Sequence, residues 1–219
     1  MPDPVISVVV PAYDAAEFVR EAIESVLALG HPALEIVVAD DASRDATAKV
    51  AEACGPSVRV VRRARNGGIG AARNAAVAAA RGELLAFLDA DDRWTEHALA
   101  SRLAALTPGV DGVFGQSRTF GAGREPGPPL AARLPAGLIV RRAAFDLVGP
   151  FAEGTAVSEG LDWMLRANEA GLRLASVADH VLWRRVHATN NSLRHRSEIG
   201  EFALTLKASL DRRRASGQR

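Results

Sequence analysis

The residues with the clearest chemical potential follow an apolar segment near the middle of the chain. Phe87 and Leu88 lead directly into Asp89-Ala90-Asp91-Asp92, so three carboxylates lie within four positions. Like charges this close repel one another unless a cation or a ligand offsets them. Mg²⁺ and Mn²⁺ prefer oxygen ligands and are often held by one or two carboxylates together with phosphate oxygens. The cluster therefore predicts a divalent metal with a nucleotide, although any one of these aspartates could instead cap a helix.

Asp40 and Asp41 form a second acidic pair at the end of another apolar run. A carboxylate there could accept a base N–H group or bind ribose hydroxyls, as acids at strand ends do in other nucleotide-binding folds. Taken alone, the pair is equally well explained by an Asx turn. Its expected position beside the first cluster favours nucleotide binding.

A glycine-rich segment, Asn66 to Asn74, leads into a stretch of helical period. Backbone amides at such a helix start can bind phosphate, and Arg73 could reach a diphosphate or a base. The segment is not a Walker loop, because no Gly-Lys-Ser/Thr follows, and its glycines do not have the spacing of the dinucleotide fingerprint. By itself it is a weak indication of phosphate binding.

These three segments must be positioned by the alternating pattern of residues 5–113. Short β-branched runs alternate with longer Ala-rich stretches, which predicts strand-helix repeats and a mostly parallel sheet. Ligands of such sheets bind beyond the carboxyl ends of the strands, where all three segments fall. The predicted strands are Ile6–Val10, Glu35–Ala39, Val58–Val61, Leu84–Leu88 and Gly112–Gly115. The predicted helices are Glu17–Leu29, Asp45–Ala53, Ala71–Ala80 and Glu96–Leu106.

The second half of the chain is less regular. Residues 117–137 hold several Gly and Pro and little periodicity, which predicts a long loop that could cover a site. The elements expected after it are a strand at Leu138–Val140, helices at Arg142–Val148 and Leu161–Ala170, a strand pair at Leu174–Val177 and Val181–Val186, and a final helix at Ser197–Arg214.

Composition excludes several classes of protein. The 219 residues are 48% hydrophobic and 24% charged, as expected for one globular domain. A net charge of +1 gives no general attraction to nucleic acid, so we expect no such partner. Cys54 is the only cysteine, which permits no intrachain disulfide.

The two ends of the chain bear on its location. The apolar run at residues 5–10 is too short for a signal core or a membrane span, so we expect a cytoplasmic protein. The C-terminal end is basic through Arg212, Arg213, Arg214 and Arg219. Such an end is compatible with peripheral contact to anionic lipid at the inner face of a membrane, and also with a solvated helix C-terminus.

In combination and in this order, the motifs resemble the family 2 glycosyltransferases, which have the GT-A fold. Val8 to Asp14 looks like the family's opening VVVPAYN, with Asp14 in place of Asn. Ile36 to Asp45 is similar to IVVVDDGSTD, and Asn66 to Asn74 looks like NGGIGAARN. Asp89-Ala90-Asp91 stands where the family has its DXD signature, and Arg184 to Ser192 looks like the late RxHxxNxS loop. The resemblance covers almost the whole chain.

The resemblance implies a Rossmann-like α/β/α sandwich with a mostly parallel central sheet. It implies a single domain over residues 1–219, in which 1–116 bind the nucleotide sugar, 117–196 serve the acceptor, and 197–219 form a C-terminal helix and basic tail. The implied metal is Mn²⁺ or Mg²⁺, on Asp91, Asp92 and His187. The residues implied to line the nucleotide-sugar pocket are Pro11, Ala12, Tyr13, Asp41, Gly68, Arg73, Asp89, Ala90 and Asp91.

The catalytic base is where the chain departs from the family. The family usually has Glu-Asp at this point, and here Gly160 replaces the Asp credited as base. An inverting transfer needs a carboxylate that takes the proton of the acceptor hydroxyl. Glu159 and Asp162 are the candidates, and Glu159 is favoured because Asp162 could be a cap or salt-bridge partner within the following helix. A third possibility is that both are structural.

The implied function is metal-dependent, inverting transfer of a sugar from a nucleoside-diphosphate sugar to an acceptor hydroxyl. Uridine is the commonest donor nucleotide in the family, and the acceptor could be a saccharide, a lipid-linked molecule or a small molecule. A non-catalytic nucleotide-sugar-binding module is the main alternative, because of Gly160. A sugar nucleotidyltransferase is disfavoured, since Pro11 to Ala16 contain neither a glycine-rich loop nor a basic residue.

Overall fold

The computed structural model describes residues 4–121, 123, 125–131, 135–187 and 200–215. Its strands are β1 (Ile6–Ala12), β2 (Leu34–Asp40), β3 (Val58–Arg62), β4 (Leu84–Phe87), β5 (Arg93–Trp94), β6 (Gly112–Phe120), β7 (Leu130–Ala131), β8 (Leu138–Arg141) and β9 (Leu174–Arg185). Its helices are α1 (Val19–Leu27), α2 (Thr47–Glu52), α3 (Gly68–Ala79), α4 (Ala100–Ala105), α5 (Arg142–Val148), α6 (Glu159–Glu169) and α7 (Gly200–Ala215). A 3-10 turn spans Pro135–Gly137. No helix in these ranges is long and apolar enough to cross a bilayer.

The strands form one sheet in the order β3-β2-β1-β4-β8-β6-β9-β5, and β7 pairs with β6. The first four of these strands are parallel, whereas β8 runs antiparallel to both of its neighbours. In the parallel part, Ala12 lies opposite Asp40 and Val9 lies opposite Phe87. The segments that follow β1, β2 and β4 therefore leave the same edge of the sheet, where the sequence predicts the ligand.

Helices cover both faces of this sheet. The inner strands are buried on both sides, so alternate residues of β1 contribute to two separate cores: Val8 and Val10 face one core, and Val9 faces the other. Helices α1, α2 and α4 pack on the first core, and α3, α5 and α6 pack on the second. This arrangement confirms the predicted α/β/α sandwich.

Two predictions for the second half are wrong. Residues 117–120 are not loop, since they extend β6, and Leu130–Ala131 form a short strand beside it. The predicted strand pair is instead one continuous strand, β9. It pairs in parallel with β6, and the register of this pairing shifts between Phe114 and Ser117 of β6. The polar residues Asp179 and His180 resemble a turn in the sequence but lie within β9, where Asp179 is exposed to solvent.

Polar contacts hold α7 against α6. Arg212 Nε donates to Glu169 Oε2 at 2.7 Å, and the buried Ser209 hydroxyl donates to the same carboxylate. At the other end of α7, Glu201 accepts hydrogen bonds from the backbone N–H groups of Ala156 and Val157, just before α6 begins. The last helix is therefore bonded to both ends of α6.

We expect Glu169→Gln to weaken this docking in a pH-dependent way. The hydrogen bond from Arg212 lowers the pKa of Glu169 against the opposing effect of burial, so its stabilising contribution is present above the ordinary glutamate pKa and is lost as pH falls through the lowered value. At pH 7 the substitution should cost about 1 kcal/mol of the free energy of unfolding. Urea titrations from pH 7 to pH 3 should show the difference from wild type shrinking, and the exposed Glu17→Gln should show no difference at any pH.

Candidate functional site

Hydrogen bonds join the segment after β1 to the segment after β2. Pro11 and Ala12 are the buried last residues of β1, and the chain then turns at Asp14, whose φ is +46°. The Asp14 carboxylate accepts hydrogen bonds from the backbone N–H of Arg44 at 2.8 Å and from its Nε at 3.1 Å. The Arg44 guanidinium also lies 5.7 Å from the centre of the Tyr13 ring. Tyr13 is thereby held at the rim with 37% of its surface exposed, where a flat ligand could stack on it.

Asp41 fixes the start of α3. Its side chain is only 2% exposed, and its Oδ2 accepts hydrogen bonds from the backbone N–H of Gly68 at 2.8 Å and of Gly67 at 3.1 Å. Arg63 forms an ion pair with the other carboxylate oxygen. Gly68 adopts a φ of +84°, which favours glycine, so the turn that presents α3 depends on this residue type. Asp41 therefore orders the glycine-rich turn at the predicted pocket.

A buried guanidinium joins the two halves of the chain. Arg73 Nη2 donates to Asp89 Oδ1 at 2.7 Å, and its Nη1 donates to Glu159 Oε1 at 2.6 Å. Burial disfavours the cation, but the two carboxylates outweigh that effect and raise the pKa of Arg73. Arg73 is therefore a permanent charge between an acid after β4 and an acid at the start of α6.

The acidic turn after β4 meets the segment after β9. Ala90 is buried, whereas the flanking Asp91 side chain remains 27% exposed in the turn that follows β4. Asp91 Oδ2 lies 2.9 Å from His187 Nε2, and the His187 ring packs 4.5 Å from that of Phe18, measured between ring centres. A carboxylate and an imidazole, both competent metal ligands, thus meet across 96 positions of sequence.

A hydrogen bond to Asp92 positions the segment that carries His187 beside this turn. Asp92 is buried, and its Oδ1 accepts a hydrogen bond from the backbone N–H of Arg185 at 2.8 Å, two residues before His187. Burial and the charges of Asp91 and Asp89 raise the pKa of Asp92 well above its usual range. In the described ranges, no three His, Cys, Asp or Glu side chains are grouped so that they could hold a metal by themselves. Any ion here would need further ligands, such as phosphate oxygens.

The two candidate bases have different surroundings. Asp162 Oδ2 accepts a hydrogen bond from Arg166 Nε at 2.8 Å, one helical turn further on, and its Oδ1 lies 3.8 Å from Arg212 on α7. Glu159 is buried, and its Oε2 has no hydrogen-bond partner among the residues that the structure describes. Through Arg73, Glu159 shares a network with Asp89, whereas Asp162 belongs to the contact between α6 and α7.

Gly160 has a packing role in this structure. A Cβ atom added at Gly160 would lie 2.8 Å from Cδ of Pro135, in the 3-10 turn that precedes β8. Real Cβ atoms essentially never come that close to another heavy atom, so the start of α6 can approach this turn only with glycine at position 160. The carboxylate that the family places here would have to displace Pro135.

We expect Gly160→Ala to destabilise the protein although alanine favours helices. The added methyl group collides with Pro135, and overpacking of this kind costs about 1–3 kcal/mol of the free energy of unfolding. Gly200→Ala is the matched control, because a Cβ added there meets nothing within 4 Å. Urea unfolding should place the control within about 0.5 kcal/mol of wild type. Equal stability of the two variants would contradict the packing role.

Arg63 lies beside the candidate site, although no sequence motif singles it out. Its guanidinium neutralises Asp41 and lies against Gly67, where an added Cβ would be 2.7 Å from Nη1. A signal was present, since three arginines between positions 62 and 65 directly precede the glycine-rich segment. The sequence alone does not indicate which of these three arginines contacts the acidic pair Asp40 and Asp41.

Comparisons with known proteins agree with this architecture. Two solved structures share the fold: Staphylococcus aureus TarS in complex with UDP-GlcNAc, with a TM-score of 0.76 and 23% identity, and the mannosyltransferase PcManGT of Pyrobaculum calidifontis in complex with GDP-Man and Mn²⁺, with a TM-score of 0.76 and 20% identity. The alignments cover 85% and 95% of this chain but 60% and 64% of those structures. They confirm the predicted GT-A fold.

Sequence comparisons identify the family. An uncharacterised glycosyltransferase of Nostoc sp. is 28% identical over 240 residues, which cover 94% of this chain and 72% of that protein. The family model described as Glycosyl transferase family 2 matches residues 7–154, which is more than half of the chain. The predicted family is therefore confirmed, and the chain belongs to glycosyl transferase family 2.

Proposed function

We propose that this chain is a metal-dependent glycosyltransferase that moves a sugar from a nucleoside-diphosphate sugar to an acceptor hydroxyl with inversion at the sugar carbon. The observation that carries the proposal is the meeting of Asp91 with His187 at the edge of the sheet where the nucleotide-binding segments converge. Family membership and the two ligand-bound structural neighbours support the reaction class and the donor class. The UDP-sugar and the GDP-sugar of these neighbours are the first donors to test.

The chemistry of the Asp91 and His187 side chains fits a divalent ion. One hard carboxylate and one imidazole leave most coordination positions open, which suits Mn²⁺ or Mg²⁺ bound together with a diphosphate. We assign these two residues as protein ligands, with Asp92 anchoring the turn through Arg185. When bound, the ion would supply positive charge opposite the leaving diphosphate.

Residues of the chain position the donor and activate the acceptor. The exposed Tyr13 ring offers a stacking surface for the base, while the amides of Gly67 and Gly68 at the start of α3 are already bound to Asp41, which orders the glycine-rich turn. The family resemblance implies that Asp89 would face the ribose. Glu159 is our candidate base, because its Oε2 is free of donors among the described residues while Arg73 binds its Oε1.

A nucleotide-sugar-binding module without catalysis is the second candidate. The observation in its favour is Gly160, which supplies no carboxylate and is packed against Pro135. Donor binding would then persist, while the proton of an acceptor hydroxyl would have no acceptor beside the sugar carbon.

Binding and turnover measurements separate the two candidates. Thermal shift with UDP-GlcNAc and with GDP-mannose, each with and without Mn²⁺, should reveal metal-dependent stabilisation by one donor. Release of nucleoside diphosphate from that donor should then be suppressed by EDTA, restored by Mn²⁺ and lost in Glu159→Gln. Stabilisation without turnover under any acceptor tested supports the binding module, and the absence of stabilisation by either donor contradicts both candidates for these nucleotides.

A further inference from the structure

Strands β5, β9 and β6 present large polar and aromatic side chains on the face of the sheet that points away from the first core. Trp94 and Leu182 lie opposite each other in β5 and β9, and both are buried in that core. Arg93 and Trp183 are the adjacent pair, so they point to the other face, where both are half-buried. Arg118 of β6 lies opposite Trp183 and therefore shares this face.

Arginines and aromatic rings alternate along this face. Arg118 Cζ lies 5.7 Å from the centre of the Trp183 ring, and Arg93 Cζ lies 5.8 Å from the same centre. Arg93 Cζ also lies 4.4 Å from the centre of the Phe120 ring. We call the whole series the arginine row; its members, in spatial order, are Arg118, Trp183, Arg93, Phe120, Arg185 and Phe18.

The other end of the arginine row reaches the candidate metal site. Arg185 Cζ lies 4.5 Å from the centre of the Phe120 ring and 5.2 Å from that of Phe18. Phe18 is the residue whose ring packs 4.5 Å from the ring of His187. A molecule bound along the row would therefore have one end beside the position proposed for the metal and the leaving diphosphate.

The row has more cations than anions and retains unused donors. Among the described residues, Glu21 alone forms ion pairs with it, to Arg93 at 2.7 Å and to Arg185. Arg118 Nε donates to the Gly127 carbonyl oxygen at 2.9 Å, which leaves both of its Nη groups without a hydrogen-bond partner in the described ranges. Arg93 Nε is buried and likewise has no partner there. Donors withheld from water in this way are costly unless a ligand satisfies them.

We propose that the arginine row binds the acceptor, and that this acceptor is a saccharide bearing carboxylate or phosphate groups. The inference rests on the proposed function, which makes the end at His187 the place of sugar transfer. Guanidinium groups bind carboxylate and phosphate through paired hydrogen bonds, and the rings beside them fix their orientation. Cations repeated along one line suit acidic groups repeated along a saccharide chain.

Single-stranded nucleic acid is a poorer occupant of the row. Proteins that bind such strands stack the bases on aromatic rings. Here Trp183 and Phe120 are each in contact with two guanidinium groups of the protein itself. The rings therefore serve to hold the arginines, and the available chemistry is that of guanidinium edges facing an anion.

Tryptophan fluorescence tests the proposal with the complete chain and without a donor. Trp183 is half-buried whereas Trp94 and Trp163 are buried, so quenching by acrylamide reports mainly on Trp183. Trigalacturonate and a maltotriose that carries a phosphate group should each reduce the quenching, and unmodified maltotriose should not. High salt should weaken the effect. The acidic saccharide that binds more tightly identifies the preferred anionic group.

Substitution of Arg118 locates the binding. Arg118→Gln should raise the Kd of the acidic saccharide by about tenfold or more, because it removes a charged donor pair. Arg118→Lys keeps the charge but not the paired geometry and should fall between Arg118→Gln and wild type. Arg62→Gln is the matched control, since Arg62 lies on β3, at the opposite edge of the sheet, and its Kd should equal that of wild type.

Several results would overturn the proposal. They are the failure of both acidic saccharides to bind, equal binding of unmodified maltotriose, equally tight binding of a DNA strand of about ten nucleotides, and equal Kd values for Arg118→Gln and Arg62→Gln. Thermal shift with UDP-GlcNAc and GDP-mannose in Mn²⁺ should be the same for Arg118→Gln and wild type, and a smaller shift in the variant would place Arg118 in the donor site instead. Loss of donor binding by the wild type would contradict the proposed function and leave the saccharide titration readable.

Discussion

Asp91→Ala is expected to abolish metal-dependent turnover of the donor while the fold is retained. The Asp91 carboxylate is partly exposed and lies 2.9 Å from His187, so its removal takes away one of two candidate ligands without opening a core cavity. Loss of a group that stabilises charge on the leaving diphosphate should lower the rate by at least about a hundredfold. Release of nucleoside diphosphate from UDP-GlcNAc or GDP-mannose in Mn²⁺ measures this directly.

Asp146→Ala is the matched control for that experiment. Asp146 is an exposed aspartate on α5, outside the edge where β1, β2 and β4 end, and its removal should leave the rate unchanged. His187→Ala should also lower metal-dependent turnover, and it should require more Mn²⁺ than wild type for half-maximal turnover. Full activity of Asp91→Ala, or wild-type turnover that persists in EDTA, would contradict a metal role for this residue.

Arg73→Met is expected to be the most destabilising of the substitutions considered. The methionine fills much of the same space but leaves the buried Glu159 without its cation, and breaking a buried pair on one side costs about 3–5 kcal/mol of the free energy of unfolding. The partly exposed Asp89 can be hydrated and should contribute less to the loss. Urea unfolding at pH 7 gives the magnitude.

A double variant separates the charge effect from the loss of packing. In Arg73→Met/Glu159→Gln the buried charge is removed together with its partner, so much of the lost stability should return. A coupling of less than about 0.5 kcal/mol between the two substitutions would show that the pair does not act as a unit. Arg62→Met is a useful control, because Arg62 pairs with Glu52 on the exposed surface and should cost little.

The sheet and its helices could be predicted from the sequence because the inner strands are buried on both faces. Strands such as β1 and β4 read as continuous apolar runs, and the Ala-rich segments between them have helical period. The predicted ends of β1 and β4 agree with the structure to within a few residues. The edge of the sheet could not be read in the same way, since β9 is half-exposed and carries polar residues that resemble a turn.

The candidate site residues could be chosen individually, whereas their contacts could not. Motif order singles out Asp91 and His187, but the hydrogen bond from Arg185 to Asp92 that brings them together depends on where β9 ends. Arg73 was expected to reach a diphosphate or a base, and the structure pairs it with Asp89 and Glu159. Both sets of contacts depend on the tertiary structure. Arg73 and Glu159 are 86 positions apart, and Asp91 and His187 are 96 positions apart, so no local sequence pattern indicates that they meet.

The Arg73 bridge has a consequence for how the two sides of the site influence each other. One guanidinium is divided between Asp89, on the side of the donor segments, and Glu159, at the start of α6. A ribose that bonds to Asp89 competes for that carboxylate, and the positive charge then weighs more heavily on Glu159. Binding at the Asp89 side and binding at the Glu159 side would therefore be coupled, and the coupling should appear as a changed affinity for one substrate when the other is present.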